Sequence, residues 1–574
     1  MSEPPAKRSR GLGAKRKQDD TTAAPGAAAE GALASGASIL NPALMKPDAI
    51  GAKRREYDAA EPYPSCVLHE LGDEGLMRAV RREIVENIRA TFKETDLFKV
   101  LQTGDLKNMD ELDAEQLAKL PALQALRNEL YSPEFRAAVG AMTGCGALNE
   151  RTDMSANVYS QGHHLLCHDD VIGTRRVSYI IYLTDPDEPW VAEDGGGLEL
   201  YPVLPDKPGV PASTPTAVHL PAWNTMAMFT VVPGQSFHSV QEVFAEDKPR
   251  LSIQGWYHAD EEPNHKELAS LSQLKSLSEG SGEPLAPLAA GRERPSEEDL
   301  ALLAKWVNPT YLKPDMWEKV AATFREENSV QLQGFLRDDV VAALLQHCQA
   351  ADKTDRLGRG AVPDYQAGIG PEAGGAGPAW QVVGPPHMRR YLTCSASPPT
   401  EGPPEPAAGS SAASMLGAIR TCLFESPAAG RLLGALTDLQ CTAVRSEVRR
   451  FRPGLDYTVA HYGVLTEDDR LDATLCFVAD GTSEDAISWE AGEVGGYECY
   501  IAAEDDDTQG DVAVYNAENE DDGGLLNVAA KCNTLNLVHR DQGIMRFVKY
   551  TSHLAPSSRW DVAVEYQVDV HDDD

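Results

Sequence analysis

Residues 163–183 read HHLLCHDDVIGTRRVSYIIYL, and the end of this stretch, Val177 to Leu183, has the composition of a β-strand. A histidine and two acids stand just ahead of that strand. His168 and Asp170 are one residue apart, and side chains at i and i+2 of an extended segment share a face. The stretch is therefore either a polar, solvated turn or a place where His168 and Asp170 bind one metal ion together.

Short strand candidates surround this stretch, and helical patterns precede and follow them. Apolar residues have helical spacing from Glu70 to Phe135 and again over residues 301–350. The strand candidates are Ser178–Leu183, Leu198–Val203, Met226–Val232 and Leu251–Tyr257, with further strands from Arg449 onward. Helices followed by strands, twice over, predict an α+β, mainly β protein with two copies of one architecture.

Four matches in the same order along the chain support a duplication. They are GGLELY at 196–201 with GGYECY at 495–500, WNTMAM at 223–228 with CNTLNL at 532–537, Arg250 with Arg559, and Tyr257 with Tyr566. Each arginine lies 26 residues after the asparagine of the preceding motif, and each tyrosine lies seven residues further on. One such match can arise by chance, but four in the same order predict an internal repeat.

The composition divides the chain into four parts. Residues 1–55 are rich in Ala, Gly and charge and are predicted to be a disordered basic tail. Residues 56–262 hold the first copy, and residues 263–300 are a predicted linker. Residues 301–574 hold the second copy, with a Gly/Pro-rich stretch at about 357–414 predicted to be a mobile insertion.

The overall charge limits the partners. The chain has 574 residues and a net charge of −36, which makes direct nucleic-acid binding unlikely and favours a basic partner. The ten cysteines include no Cys-x-x-Cys pair, a pattern typical of reduced thiols. No apolar run predicts a membrane span. The basic cluster within residues 7–17 is a weak nuclear-localisation pattern, so a location in the nucleus, the cytoplasm or both is expected.

A third ligand would complete a metal site. His238, in PGQSFHSV, follows a predicted strand and can supply a second imidazole to His168 and Asp170. Two imidazoles and one carboxylate form the facial triad that binds Fe(II) and leaves positions open. Arg250 follows twelve residues after His238, with Ser252 on the same strand face, and a guanidinium can bind a dicarboxylate at two points. Taken singly, a histidine such as His238 is most often a partly buried, hydrogen-bonded strand residue, and Arg250 is equally well explained as a strand-edge salt bridge.

These residues resemble a known family. His168-x-Asp170, His238 and Arg250-x-Ser252, set among short strands, are similar to the Fe(II)- and 2-oxoglutarate-dependent oxygenases. CHDDVIGTRRVSYIIYL, GGLELY and RLSIQGWYH resemble the branch of ribosomal-protein prolyl 3-hydroxylases, which carries a second, degenerate oxygenase-like domain.

The resemblance implies a fold and an activity. The implied fold is two tandem double-stranded β-helix (jelly-roll) domains flanked by helices. The implied cofactor is Fe(II), the cosubstrates are 2-oxoglutarate and O2, and ascorbate is expected to stimulate the reaction. The reaction is hydroxylation of a prolyl C3 in a basic decoding-centre protein of the small ribosomal subunit, affecting translation accuracy or termination. Tyr159, Tyr182 and Ser252 are implied to help Arg250 hold 2-oxoglutarate, although both tyrosines also suit ordinary strand packing.

Two other interpretations stay open. The fold can serve as a non-catalytic or oxygen-sensing scaffold with partners in translation termination or mRNA handling. An oxygenase of this fold can also act on nucleic acid, which the negative charge disfavours.

The second copy is predicted to lack the iron site. The repeat places His461 at the position of His168, Gly463 at that of Asp170 and Phe547 at that of His238, whereas Arg559 is retained. A different alignment would bring in His553 but would break the match at Arg559. The second domain is therefore expected to be non-catalytic.

Overall fold

The computed structural model describes residues 38–276, 284–372, 379–395, 411–466, 468–503 and 526–569. Helices cover one face of the first sheet: α1 Pro47–Ala59, α2 Glu74–Asn87, α3 Ala114–Leu117, α4 Pro121–Leu130 and α5 Pro133–Thr143. Side-chain caps define their starts. Asp73 accepts a hydrogen bond from the Leu76 amide at the start of α2, and Ser132 accepts one from the Phe135 amide at the start of α5.

The first sheet is antiparallel and curls into a half-barrel. Its strands are β1 Ser65–Leu68, β2 Thr91–Glu94, β3 Phe98–Gln102, β4 Met154–Tyr159, β5 His164–His168, β6 Arg175–Tyr182, β7 Leu198–Leu200, β8 Ala217–His219, β9 Thr225–Thr230, β10 His238–Val240 and β11 Arg250–His258. Their order is β1-β9-β6-β11-β4-β3-β5-β10-β7-β8, and β2 pairs with β3. Because β3 pairs with both β4 and β5, the two layers of strands form one continuous sheet.

The alternation of side chains along β6 shows how the sheet is buried on both faces. Val177 and Ile181 pack in the core that the sheet shares with the helices. Ile180 and Tyr182 point to the opposite face and pack inside the curl, together with Leu198 of β7. Polar side chains on this inner face are therefore held in a closed apolar setting.

The second half of the chain repeats the arrangement. Its helices are α6 Ser270–Leu274, α7 Glu297–Leu303, α8 Pro314–Glu327, α9 Asp338–Thr354, α10 Ala412–Ala418, α11 Pro427–Thr437 and α12 Ser483–Glu490. Its strands are β12 Ala286–Pro287, β13 Ser329–Gln333, β14 Trp380–Val383, β15 Arg389–Cys394, β16 Gln440–Phe451, β17 Tyr457–Thr458, β18 Arg470–Phe477, β19 Glu498–Ala502, β20 Leu526–Val528, β21 Thr534–Arg540, β22 Ile544–Val548 and β23 Arg559–Asp569.

The strand orders of the two halves correspond. The order β13-β21-β18-β23-β16-β15 in the second half matches β1-β9-β6-β11-β4-β3 in the first. The motif WNTMAM leads into β9 and CNTLNL leads into β21, so the repeated residues start equivalent strands. The internal repeat is thus present in the fold as well as in the sequence.

Two parts differ from the expectation. The end of the predicted disordered tail is ordered: residues Pro47–Ala59 form a helix that runs past residue 55, and Tyr57 on that helix is buried in the first core. Thr91–Glu94 and Phe98–Gln102 form a hairpin inside the range predicted as helical. Residues 1–37 of the predicted tail lie outside the described residues.

The predicted linker and insertion also carry regular structure. Ala286–Pro287 pairs with β16, and Glu297–Leu303 is already helical. Within the Gly/Pro-rich stretch, Trp380–Val383 and Arg389–Cys394 pair with each other at the edge of the second sheet. Trp380 is buried against Trp560 of β23, so tertiary packing gives order to a composition typical of loops. The domain boundaries themselves stay predictions.

Candidate active site

His168, Asp170 and His238 come together inside the first half-barrel. His168 ends β5 and His238 starts β10, and the two residues are direct partners in the antiparallel pairing. The Asp170 carboxylate lies 3.2 Å from His168 Nε2 and 3.4 Å from His238 Nε2. All three side chains are buried, and their ligand atoms lie within 4.8 Å of one another. The structure therefore assembles the predicted triad around one point.

The backbone fixes which imidazole nitrogens face that point. His168 Nδ1 lies 2.8 Å from the Leu166 carbonyl, and His238 Nδ1 lies 2.9 Å from the Ser236 carbonyl. A carbonyl can only accept, so Nδ1 of each ring carries a proton and Nε2 is the nitrogen left for a ligand. Both Nε2 atoms face Asp170, as shared ligation of one metal ion requires.

Two residues that the sequence did not single out hold Asp170 in place. Ser178 Oγ donates to Asp170 Oδ2 at 2.9 Å, and Trp256 Nε1 donates to the same oxygen at 3.0 Å. Burial alone would raise the pKa of the Asp170 carboxyl, but His238 and His168 beside it hold that pKa well below its usual value. The group is a carboxylate in an apolar cavity and suits a cation.

The neighbouring acid has a different role. Asp169 accepts hydrogen bonds from the Gly234 amide at 3.0 Å and from the Ser270 hydroxyl at 2.8 Å. It therefore ties the loop before β10 to α6. Of the two acids in CHDD, one faces the metal position and the other anchors the backbone around it. The spacing in the sequence predicted the first of these roles only.

The predicted cosubstrate residues lie together on the inner face. Arg250 pairs with Tyr159 on β4, and Ser252 pairs with Tyr182 on β6. The Arg250 guanidinium lies 5.0 Å from the centre of the Tyr159 ring and 5.1 Å from that of Tyr182. Its Nη1 donates to Ser252 Oγ at 3.3 Å, and burial raises the pKa of Tyr159 to about 12. All four predicted side chains thus contribute to one buried pocket.

The pocket fits the distal carboxylate of a dicarboxylic acid. Arg250 is 1% exposed, yet its Nε and Nη2 have no hydrogen-bond acceptor among the described residues. The Tyr182 hydroxyl is buried beside the same guanidinium. Leaving a buried guanidinium partly unpaired costs several kcal/mol, and a carboxylate ligand would remove that cost. Two imidazoles and a carboxylate likewise fit Fe(II).

Comparison with known proteins agrees with this geometry. Residues 154–258 match the 2OG-Fe(II) oxygenase superfamily, and residues 298–574 match a family described as oxoglutarate and iron-dependent oxygenase degradation C-term. Prolyl 3,4-dihydroxylase OGFOD1 of Ostreococcus tauri is 39% identical over 88% of this chain and 95% of its own length. This chain belongs to the 2-oxoglutarate- and Fe(II)-dependent oxygenases.

Other relatives lie in the same family. Prolyl 3-hydroxylase OGFOD1 of Xenopus laevis is 27% identical over 86% of this chain and 84% of its own. Prolyl 3-hydroxylase sudestada1 of Drosophila melanogaster is 26% identical over 88% and 82%. The crystal structure of a Pseudomonas putida prolyl-4-hydroxylase covers 36% of this chain and 98% of its own, with 19% identity and a TM-score of 0.27.

Family membership confirms three predictions made from the sequence. The protein is a 2-oxoglutarate-dependent oxygenase of the prolyl hydroxylase family, its fold is the jelly-roll type, and it uses Fe(II), 2-oxoglutarate and O2. His168, Asp170 and His238 would hold the iron, and Arg250 would bind the cosubstrate. No helix of the described residues has both the length and the apolar composition that crossing a membrane would require.

The second half-barrel corrects one predicted equivalence. Gly195–Gly196 have φ of 71° and 68°, and Gly495–Gly496 have φ of 69° each, so these pairs are equivalent. The sequence alignment had matched Gly496 with Gly197, one residue away. In the structure Leu200 therefore corresponds to Tyr500.

The shift by one residue changes which side chain replaces an iron ligand. His238 pairs with Leu200, and Arg546 pairs with Tyr500, so Arg546 stands where His238 stands in the first domain. The prediction of Phe547 is wrong, because a slip of one residue turns a strand residue to the other face. Phe547 lies in an apolar cluster on that other face.

A cluster of charged side chains fills the position of the metal. Asp472 and Glu565 pair as Ser178 and Trp256 do in the first domain. Arg546 Nη1 lies 3.0 Å from Asp472 Oδ2, and its Nη2 lies 3.4 Å from Glu565 Oε2. A guanidinium thus stands in the second domain where a cation would bind in the first.

The cosubstrate position of the second domain is filled as well. Asp561 pairs with Cys476 as Ser252 pairs with Tyr182. Arg559 Nε and Nη2 each lie 3.0 Å from Asp561 Oδ2, so the retained arginine has a carboxylate partner from its own strand. This explains why Arg559 persists without implying a second active site.

The other predicted second-copy residues supply no iron site. His461 and His553 belong to no group of three possible ligands within the described ranges. Burial lowers the pKa of His461 to about 4, so its ring is neutral. One further group exists there, Asp469, His539 and Asp541, but it is partly exposed and lies outside the barrel pocket described above.

Proposed function

We propose that this protein hydroxylates a prolyl residue at C3 in a basic decoding-centre protein of the small ribosomal subunit. The observation that carries the proposal is the buried triad of His168, Asp170 and His238, together with the unpaired nitrogens of Arg250 on the same inner face. The relatives named prolyl 3-hydroxylase support the reaction. The net charge of −36 supports a basic client, whose encounter it would speed.

The residues of the chain have separate tasks in this reaction. When bound, Fe(II) with 2-oxoglutarate and O2 would supply the oxidation of a C–H bond, with one oxygen atom going to the prolyl carbon, the other to succinate, and carbon dioxide released. Arg250, Ser252 and the two tyrosines bind and orient the cosubstrate, and the apolar inner face excludes water. Ser178 and Trp256 keep the Asp170 carboxylate turned toward the imidazoles.

Dihydroxylation of the same proline is a second candidate product. The relative at 39% identity is named a prolyl 3,4-dihydroxylase, which favours two oxygens over one. We further propose that the protein acts in the nucleus or the cytoplasm, where such a client would be made or used. Ascorbate is expected to stimulate turnover by keeping the iron reduced.

The deciding experiment measures succinate formation from 2-oxoglutarate with Fe(II) and air, with and without a peptide carrying the decoding-centre proline. Mass spectrometry then locates the product. Peptide-dependent succinate with one added oxygen on proline supports 3-hydroxylation, and two added oxygens support dihydroxylation. Succinate without peptide oxidation rejects the client and leaves the oxygenase.

The scaffold interpretation has its own test. If the fold acts only through binding, a His168→Ala variant keeps its biological effect on translation termination. If the protein acts as an enzyme, that variant still binds the client but leaves its proline unmodified and loses the effect.

A further inference from the structure

One segment of the second domain contacts both strands that carry the iron-binding imidazoles. This contact segment, Lys549–His553, directly follows β22. It packs on β5, which ends in His168, and on the residues after β10, which starts with His238. No motif in the sequence marks it, because its hydrogen-bond partners in the first domain lie between 308 and 454 residues away along the chain.

On the β10 side the contact is made through Glu242. Its side chain is 1% exposed, and both carboxylate oxygens are taken by the contact segment. The His553 amide donates to Oε2 at 2.8 Å, the Tyr550 hydroxyl donates to the same oxygen at 3.2 Å, and the Ser552 hydroxyl donates to Oε1. His553 Nδ1 also lies 3.0 Å from Oε1. A buried carboxylate with this many donors is firmly fixed.

On the β5 side the contact is made through a ring. Tyr550 packs on His164 with their centres 4.1 Å apart. The Lys549 ammonium donates to the Thr95 carbonyl and lies 3.1 Å from Glu94, just ahead of β3, which pairs with β5. The contact segment therefore holds β5 from the side opposite the barrel interior.

Each contact residue lies four residues along the chain from an iron-binding histidine. Glu242 lies four residues after His238, and His164 lies four residues before His168. His168 and His238 are direct partners in the pairing of β5 with β10, so this pairing sets the distance between their imidazoles. The contact segment holds both sides of the pairing in place. A small change in that spacing changes iron affinity, because ligand orientation depends on surrounding support.

The second domain gives the segment a rigid base. Arg546, three residues ahead of it, is held between Asp472 and Glu565 in the position of the missing iron site. At the other end the Ser552 amide donates to the Val494 carbonyl at 2.9 Å. The contact segment is therefore attached to the second domain on both sides.

We propose that Glu242 is a positioning residue through which the second domain sets the geometry of the iron ligands. The non-catalytic domain then has a task in the reaction: it supports the β5–β10 pair from outside. The inference rests on the oxygenase activity within the proposed function and does not depend on the choice of client.

The test compares full-length Glu242→Gln with Glu246→Gln, an exposed carboxylate in the loop that follows. Fe(II) affinity is measured anaerobically, and the visible spectrum of the Co(II)-substituted protein reports ligand geometry. We expect about tenfold weaker Fe(II) binding and an altered Co(II) spectrum in Glu242→Gln, and wild-type values in the control. At saturating iron, 2-oxoglutarate turnover should also fall.

A second variant tests the same contact in case Glu242→Gln does not fold. The double substitution Tyr550→Phe with Ser552→Ala removes two donors to Glu242 from the other domain and keeps the ring against His164. It should shift affinity and spectrum in the same direction. Fe(II) affinity within twofold of wild type and unchanged spectra in every folded variant would overturn the proposal. These measurements use no client protein. They therefore test the role of Glu242 even if the proposed client is wrong.

Discussion

At the residue scale, the iron site depends on side chains that point at Asp170 from two other strands. Trp256 and Ser178 are partners across β11 and β6, and both donate to Asp170 Oδ2. In the sequence Trp256 is one aromatic residue in the strand RLSIQGWYH and suits core packing as well. Only the pairing register brings its indole N–H to a carboxylate 86 residues away.

Replacing this tryptophan tests the support of Asp170. Trp256→Phe keeps an aromatic ring, though a smaller one, and removes the N–H, and we expect Fe(II) affinity to fall about tenfold. Trp223→Phe is the matched control, because Trp223 donates to Glu74 at the domain surface. Anaerobic Fe(II) titration measures both. Equal affinities in the two variants would mean that the indole contributes packing alone.

At the element scale, the same turn starts β9 and β21. Asn224 and Asn533 have φ of 55° and 49°, and each uses both its side-chain oxygen and nitrogen on the backbone of one residue. Asn224 binds the amide and carbonyl of Gly72, and Asn533 binds those of Leu336. The repeated asparagine therefore fixes the helix-to-sheet junction of each domain, which is why this motif survives where the iron ligands do not.

Two substitutions at Asn533 separate the energetic cost of the positive φ from the contribution of the side-chain hydrogen bonds. Asn533→Ala loses two buried hydrogen bonds and places alanine at positive φ, which should destabilise the second domain by about 2–4 kcal/mol. Asn533→Gly loses the hydrogen bonds but tolerates the backbone, so it should be about 1 kcal/mol more stable than the alanine variant. Urea unfolding measures the difference. An alanine variant as stable as the glycine variant would refute the strain argument.

At the scale of the whole molecule, two barrels of one topology have interiors of different chemistry. The first leaves two nitrogens of Arg250 without an acceptor among the described residues and groups three metal ligands. The second pairs Arg559 with Asp561 and puts Arg546 between two acids. These charged side chains of the second barrel thus pair with one another and not with a ligand.

This arrangement predicts one tight iron site per chain. Anaerobic titration with Fe(II), followed by removal of loosely bound metal, should give one equivalent for wild type and none for His168→Ala. The surface group of Asp469, His539 and Asp541 should contribute weak binding at most, because it is partly exposed. Two tight equivalents in wild type would contradict the assignment of the second domain.

The same cluster predicts how stability depends on pH. Burial alone would raise the pKa of the Glu565 carboxyl. The nearby Arg546, Arg540 and Arg445 outweigh burial and lower that pKa from an ordinary 4.5 to about 2. A depressed carboxyl pKa stabilises the fold above about pH 4.5, and this contribution is lost as the pH falls toward 2. It amounts to about 3 kcal/mol at pH 7.

Glu565→Gln should therefore lower the free energy of unfolding at pH 7 by several kcal/mol, and the deficit should shrink at pH 3. Glu484→Gln, at an exposed carboxylate of the same domain, is the control and should match wild type at both pH values. Urea unfolding at the two pH values measures this. A deficit that stays constant with pH would show that packing, and not charge, accounts for the loss.

Local sequence determined the chemistry of this protein. The i, i+2 spacing of His168 and Asp170, the strand position of His238 and the Arg250-x-Ser252 pair each lie within a short stretch of sequence and marked these side chains as candidates, and the β5–β10 pairing then brought His238 to the other two ligands. The repeat predicted two similar domains from short motifs in the same way. Tertiary structure alone decided the support from Trp256, the contact at Glu242, and the placement of Arg546 instead of Phe547. These depend on strand register and on contacts across hundreds of residues, and a shift of one residue in register exchanges the two faces of a strand.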